Sequence, residues 1–172
     1  FTSRVTACAV LPALYPRLSK QLQLECQGLL ADLANDPTPM VRRATMEHLP
    51  AVISIVDAKT LEQKVFKIFL DLADDGQDSV RRLAIKACLA LASNNVVAEN
   101  TTIRQAIVRC IQKLSADVSW RIRWSVANNF AQLAKCFGAE KALRGHLLTM
   151  FCALVEDDED EVRAAVALQF PT

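Results

Sequence analysis

"DVSWRIRWSVANNF" (residues 117–130) holds both tryptophans of the chain, Trp120 and Trp124, interleaved with Arg121 and Arg123. Aromatic and basic residues in alternation are typical of nucleic-acid surfaces, where bases stack on rings and phosphates meet guanidinium groups. The same stretch also fits one unit of a stacked helical array, in which each ring and each charge has a separate mechanical task. The rest of the sequence decides between these readings.

The stretch has siblings. Its Ile122-Arg123 pair returns as Val41-Arg42, Val80-Arg81 and Val162-Arg163, with a fainter copy in Ser3-Arg4. The arginines Arg4, Arg42, Arg81, Arg123 and Arg163 are 38, 39, 42 and 40 residues apart. Asp36, Asp75, Asp117 and Asp157 each stand six residues before the last four of them. Apolar residues fill the flanking columns: Leu33, Leu72, Leu114 and Leu154 nine before, and Leu11, Leu49, Cys88, Phe130 and Phe170 seven after. Self-similarity in so many columns at a fixed period is the signature of a repeat architecture.

Each unit reads as two helices around a short polar turn. Val65, Phe69 and Leu72, or Ile107, Ile111 and Leu114, give the first helix an apolar stripe at helical spacing. The turns are "NDPT", "DDGQD", "ADVS" and "DDED". The second helix carries its own stripe, as in Val80, Ala84, Cys88 and Leu91. Thr38 is placed as an N-cap, and Pro39 occupies a first-turn position that tolerates proline. Pro12 and Pro50 fall inside second helices and are expected to kink them. Neither helix of a unit buries its stripe alone, so neighbouring units must stack. The expected fold is all-α, a right-handed α-α superhelix. Its units are a second helix over 1–16, repeats over 17–56, 57–97 and 98–137, and a repeat over 138–172 truncated in its second helix. Neither end carries a polar capping face, so the chain is expected to be a segment of a longer array.

Composition narrows the function. With 52% hydrophobic residues, four glycines and six prolines the chain has the means to fold. Twenty Lys and Arg against nineteen Asp and Glu leave a net charge of +1, without the basic excess of a general nucleic-acid binder. No apolar run approaches the ~18–20 residues of a membrane span, and no basic-then-apolar leader pattern is present. Six cysteines on apolar stripes, with no C-x-x-C pair, read as buried thiols of a reducing compartment.

Enzyme readings find little support. His48 and His146, with Glu47 as the only adjacent acid, cannot build a di-iron site of His-Glu pairs. P-loop, nucleophile-elbow and H-E-x-x-H motifs are absent. A helical-repeat DNA glycosylase is weakly mimicked by Trp120, Trp124, Arg121 and Asp117, yet the aspartate recurs in every full unit. The acidic run 156–161 reads as a solvated turn and helix N-terminus, lacking the glycine and spaced oxygens of a calcium loop. No cofactor or metal is expected.

The arginine column has two readings, a row of phosphate-binding cations or a set of arginines each held by the aspartate of its own or a neighbouring turn. The recurring aspartates favour the second. A structural ladder of Asp36, Arg42, Asp75, Arg81, Asp117, Arg123, Asp157 and Arg163 follows. Loss of Arg81 or Arg123 is then expected to cost about 3–5 kcal/mol by stranding a buried aspartate.

Units of about forty residues with Asp in the turn and Val-Arg opening the second helix resemble the HEAT repeat. "FTSRVTAC", "DPTPMVRRA", "QDSVRRLAIKAC", "SWRIRWSVANNF" and "DEDEVRAAV" are similar to consecutive segments of the scaffold (A) subunit family of protein phosphatase 2A. The resemblance covers essentially the whole chain. It implies a non-catalytic scaffold segment, cytoplasmic and nuclear. Its intra-repeat turns line a ridge that receives regulatory B-type subunits, and the catalytic subunit sits on repeats not present here. Neither nucleic acid nor membrane is an implied partner. The prolines Pro12 and Pro50 and the connector "SNNVVAENTT" depart from the family pattern. On this reading the ridge consists of Thr38, Pro39, Met40, Arg43, Gln77, Asp78, Arg82, Trp120, Arg121 and Trp124. Trp120 stands in a column otherwise filled by Pro39, Asp78 and Asp160, and so serves either as a partner anchor or as a cover for its own turn. A transport-receptor-like HEAT scaffold is the alternative reading within the same fold.

Overall fold

Fifteen-residue stretches with apolar residues at i, i+4 and i+7 become the first helices of successive repeats in the computed structural model, which describes residues 1–138 and 140–169. Phe170, expected on an apolar stripe, lies outside the described residues. The chain divides into two compact units, Phe1–Ala90 and a second beginning at Leu91. Among the described residues there is no strand.

In the first unit α1 (Thr2–Leu14) and a 3-10 turn (Tyr15–Arg17) lead to the helix pair α2 (Lys20–Ala34) and α3 (Pro39–Ile53). The next pair opens with α4 (Ala58–Thr60), a π-helical turn (Leu61–Val65) and α5 (Phe66–Ala73), and returns through α6 (Asp78–Arg81) and α7 (Ala84–Ala92). Packing follows two layers: α2 meets α5, while α3 lies between α1 and α6. The second unit repeats the plan. A short helix α8 (Asn95–Glu99) precedes α9 (Thr101–Ser115), which turns into α10 (Trp120–Asn128) and α11 (Phe130–Phe137). Then α12 (Lys141–Val155) packs on α9, and α13 (Asp160–Ala167) packs on α10.

The stripes become the core. Val65, Phe69 and Leu72 are buried, as are Ile107, Ile111 and Leu114, and Val80, Ala84, Cys88 and Leu91. Each buried Leu, Ile or Phe side chain contributes roughly 1.5–3 kcal/mol of apolar transfer, so the packing of helix on helix within each unit carries the stability.

The two kinds of helix start differently. The first helices of the earlier three repeats use side-chain caps, with Ser19 Oγ, Asp57 Oδ1 and Asn100 Oδ1 accepting the N–H of Leu22, Thr60 and Ile103, whereas α12 has no side-chain cap at Glu140. Second helices use none. Thr38 occupies the N-cap position of α3, but its side chain makes no capping bond. Its own N–H instead donates to Asp36 Oδ1 at 2.8 Å, so the aspartate two residues earlier organises the turn. Pro39 does take the first-turn position.

Three details differ from a plain two-helix unit. Pro12 and Pro50 do not end their helices; α1 and α3 run a further two or three residues past them, each without the i−4 backbone bond that its proline cannot donate. The second helix of the 98–137 repeat divides at Asn129, whose side-chain amide donates to the Ser125 carbonyl at 2.8 Å. The connector "SNNVVAENTT" folds as α8 between two asparagine caps, Asn94 on the Val96 N–H and Asn100 on the Ile103 N–H.

Candidate partner-binding ridge and its supporting ladder

Every intra-repeat turn is built around its aspartate. The Oδ1 atoms of Asp36, Asp75, Asp117 and Asp157 accept the backbone N–H of Thr38, Gln77, Ser119 and Glu159 at 2.8–3.0 Å. This leaves the other side of each carboxylate for a cation.

The arginines supply it with a fixed offset. Within the first unit, Arg42 donates through Nε and Nη2 to both carboxylate oxygens of Asp75, at 2.6 and 3.0 Å. Its Nη1 donates to the Asp36 carbonyl of its own turn at 2.9 Å. Arg4 reaches Asp36 at 2.6 Å, and Arg81 donates to the Asp75 carbonyl at 2.7 Å. Within the second unit, Arg123 donates to both oxygens of Asp157 and, through Nη1, to the Asp117 carbonyl at 2.9 Å. Arg163 donates to the Asp157 and Asp158 carbonyls and pairs with Asp160. Of the two aspartates open to each arginine in the sequence, the structure gives each a separate part. In the rungs at Arg42 and Arg123 the arginine takes its own turn's carbonyl and the following turn's carboxylate. Only a planar guanidinium fork satisfies both at once.

The electrostatics follow. The Arg123 guanidinium, working against burial, holds the Asp157 carboxyl below its ordinary range, with the Glu159 N–H assisting. At Asp75 burial pushes the carboxyl upward, but the bonds from Arg42 and the Gln77 N–H prevail and the net shift is down. Arg42 and Arg123 are in turn held more firmly protonated by their bonds to Asp75 and Asp157.

With the ladder charges engaged, the remaining turn residues face outward. In the first unit Pro39 and Met40 are exposed at the start of α3, with Thr38 half-buried, and Met40 is 58% accessible. Arg43 is half-buried and lies 3.8 Å from Glu47 on the same helix. Gln77, Asp78 and Arg82 are exposed around α6, the neighbour of α3. In the second unit Trp124 is exposed on α10, while Trp120 is half-buried with the Arg121 guanidinium 4.7 Å over its ring. Trp124 is the tryptophan more open to solvent, while Trp120 carries the guanidinium of Arg121 on its ring.

Two residues were not singled out by sequence reasoning. Val118 is 94% accessible at the tip of its turn, in the column of Pro37, Gly76 and Asp158. An apolar residue in a column of turn formers and an acid was the available signal. Arg104 on α9 is buried, pairs with Glu140, donates to the Cys136 carbonyl at 2.8 Å and lies 5.0 Å over the Phe137 ring. It ties α9 to the end of α11 and the start of α12.

No family model matches the chain. Among curated proteins it is 32% identical over 149 residues to the PP2A regulatory (A) protein of Saccharomyces cerevisiae, covering 83% of this chain and 24% of that protein. It is 31% identical over 139 residues to the Schizosaccharomyces pombe protein of the same name, covering 80% and 23%. Over 69 residues, 40% of this chain and 12% of that protein, it is 32% identical to the protein phosphatase 2A scaffold subunit of Dictyostelium discoideum. The chain spans about a quarter of the length of the first two relatives. Among solved structures it superposes at TM-score 0.59 and 20% identity on a chain of the CpcE–CpcF complex of phycocyanin lyase from Nostoc, over 96% of this chain and 98% of that one. It superposes at TM-score 0.58, also at 20% identity, on a chain of a Kap95p–RanGDP complex, over 88% of this chain and 17% of that one. At such identities the likeness concerns the fold alone.

Paired helices, aspartate turns and the arginine ladder define an all-α helical-repeat protein of the HEAT type. The chain belongs to the family of protein phosphatase 2A regulatory, or scaffold (A), subunits, of which it forms a HEAT-repeat segment. Its relatives bear the names of regulatory or scaffold subunits, and the segment is non-catalytic.

Proposed function

We propose that this segment acts as part of a protein phosphatase 2A scaffold and binds regulatory B-type subunits through its intra-repeat turns. The catalytic subunit, on this reading, is held by repeats outside the segment, and neither nucleic acid nor membrane takes part. The scaffold role rests on the kinship with the PP2A regulatory (A) proteins of two yeasts. The observation that carries the surface is the exposure of Met40, Val118 and Trp124 at turns whose charges are already paired. Exposed apolar and aromatic groups beside Arg43, Arg82 and Arg121 have the composition of interface anchors. A cytoplasmic and nuclear location belongs to the same proposal and agrees with six free cysteines.

The test is direct binding of the purified chain to purified B-type subunits, with Trp124→Ala and Val118→Asp as variants. Loss of binding at unchanged thermal stability supports the ridge. Binding by neither the chain nor a longer segment containing it, or equal binding by both variants, removes it.

A further inference from the structure

A second surface lies on the first-helix layer of the first unit. Between α2 and the segment formed by α4, the π-helical turn and α5 there is an open cleft of about 340 Å³, and none of the ridge residues lines it. Three lysines, Lys20, Lys59 and Lys64, border it against one carboxylate, Asp57.

The cleft has a built floor. Gln27, 8% accessible, donates through its amide to Tyr15 Oη at 2.7 Å and to Thr60 Oγ1 at 3.2 Å. Its Oε1 accepts from Lys64 Nζ at 2.8 Å, which fixes that ammonium over the floor. A polar network buried in this way is costly unless satisfied, and here every amide atom has a partner. Lys64 comes from the π-helical turn Leu61–Val65, a local departure from α-helix geometry of the kind that often accompanies functional sites. Asp57 accepts the Thr60 N–H at 2.9 Å at the start of α4 and, with Lys20 and Lys59 near it, offsets one of the three lysine charges. The cleft keeps a cationic excess.

We infer that this cleft binds an acidic peptide segment of a partner protein, one carrying apolar residues beside its carboxylates. Lysine also binds phosphate, but selective phosphate sites usually add an arginine fork or converging backbone N–H groups, and no arginine lines the cleft. Lysine ammoniums as separated point charges suit carboxylates spread along a chain. Leu24, a lining residue 60% accessible, offers an apolar contact that a free anion would not use. The concave shape also suits an inserted peptide better than a flat membrane surface.

The probe is a fluorescein-labelled peptide of sequence Glu-Leu-Glu-Glu-Leu-Glu, titrated with the full chain by fluorescence polarisation. The wild-type chain binds it, and binding weakens in high salt. Lys20→Glu with Lys59→Glu weakens it about tenfold or more, and the milder Lys20→Gln with Lys59→Gln moves it in the same direction. Both pairs lie on exposed positions, and circular dichroism reports whether they fold. Trp124→Ala leaves the peptide affinity unchanged, which separates this cleft from the ridge. Three results overturn the inference: no binding by wild type, equal binding by the folded charge variants, or displacement of the peptide by inorganic phosphate at matched concentration.

Discussion

Arg123 and Asp157, 34 residues apart, close a two-bond ion pair at 2.7 and 2.8 Å, while the third arm of the same guanidinium holds the Asp117 carbonyl. The pair is largely shielded, with side-chain accessibilities of 17% and 6%. One side chain therefore joins two consecutive turns of the second unit.

Arg123→Ala removes both anchors and strands the Asp157 carboxylate. We expect a loss of about 3 kcal/mol, the scale for breaking a shielded pair from one side. Arg123→Lys recovers only part of it, because an ammonium cannot form the fork. Urea unfolding of both variants, with a double-mutant cycle against Asp157→Asn, checks the assignment; additive losses in the cycle would sink it.

The carboxyls of Asp75 and Asp157 titrate lower in the folded chain than in the unfolded one. The unfolded state therefore takes up their protons first as pH falls. Their stabilisation is complete above the ordinary carboxyl value of about 4 and is lost as pH drops from there through the folded values. Melting temperatures measured from about pH 6 down to about pH 3 should fall below pH 4, and Asp157→Asn should flatten part of that fall.

The tryptophans should separate. Trp124→Ala leaves stability within about 0.5 kcal/mol, as expected for an exposed side chain, but weakens B-type subunit binding by roughly 2 kcal/mol or more if it is an anchor. Trp120→Ala removes a half-buried ring and its Arg121 stack, and lowers stability by about 1–2 kcal/mol. Calorimetry with a binding titration on the same two variants distinguishes the roles.

Arg104→Ala leaves Glu140 and the Cys136 carbonyl without their donor and uncovers the Phe137 ring. A loss of about 2–3 kcal/mol in urea unfolding is expected, less than for a fully enclosed pair because Glu140 is partly open to solvent. Hydrogen exchange should rise first at the end of α11 and the start of α12.

What the sequence made legible was whatever recurs. The stripes Val65-Phe69-Leu72 and Ile107-Ile111-Leu114, the turn aspartates and the arginine column all appear several times, so each copy vouches for the others. Features present once had no such support. Arg104 lies nineteen residues before its ladder arginine; the same count in other units lands on Gln23, Glu62 and Arg144, and Arg144 is exposed rather than buried. The π-helical turn at Leu61–Val65 and the break at Asn129 interrupt helices whose apolar spacing reads straight through. The partner of each arginine was hidden for another reason: spacing along the chain fixes its own turn, but only stacking tells which carboxylate comes within reach. The ridge was legible as a set of positions, while the exposure of its members was not. Trp120 and Trp124 look alike in sequence and differ because one ring turns back under Arg121.

The rungs at Arg42 and Arg123 have a bearing on how such chains lengthen. Each of these two arginines takes the carboxylate of the repeat that follows and the carbonyl of its own turn, with the same atoms in the same roles. A repeat duplicated at either rung would arrive with its arginine already matched to the carboxylate that follows, without compensating change there. The contact that stabilises one junction is thus also a rule of grammar, by which whole repeats can be inserted or removed while turn residues such as Val118 and Met40 vary freely for new partners.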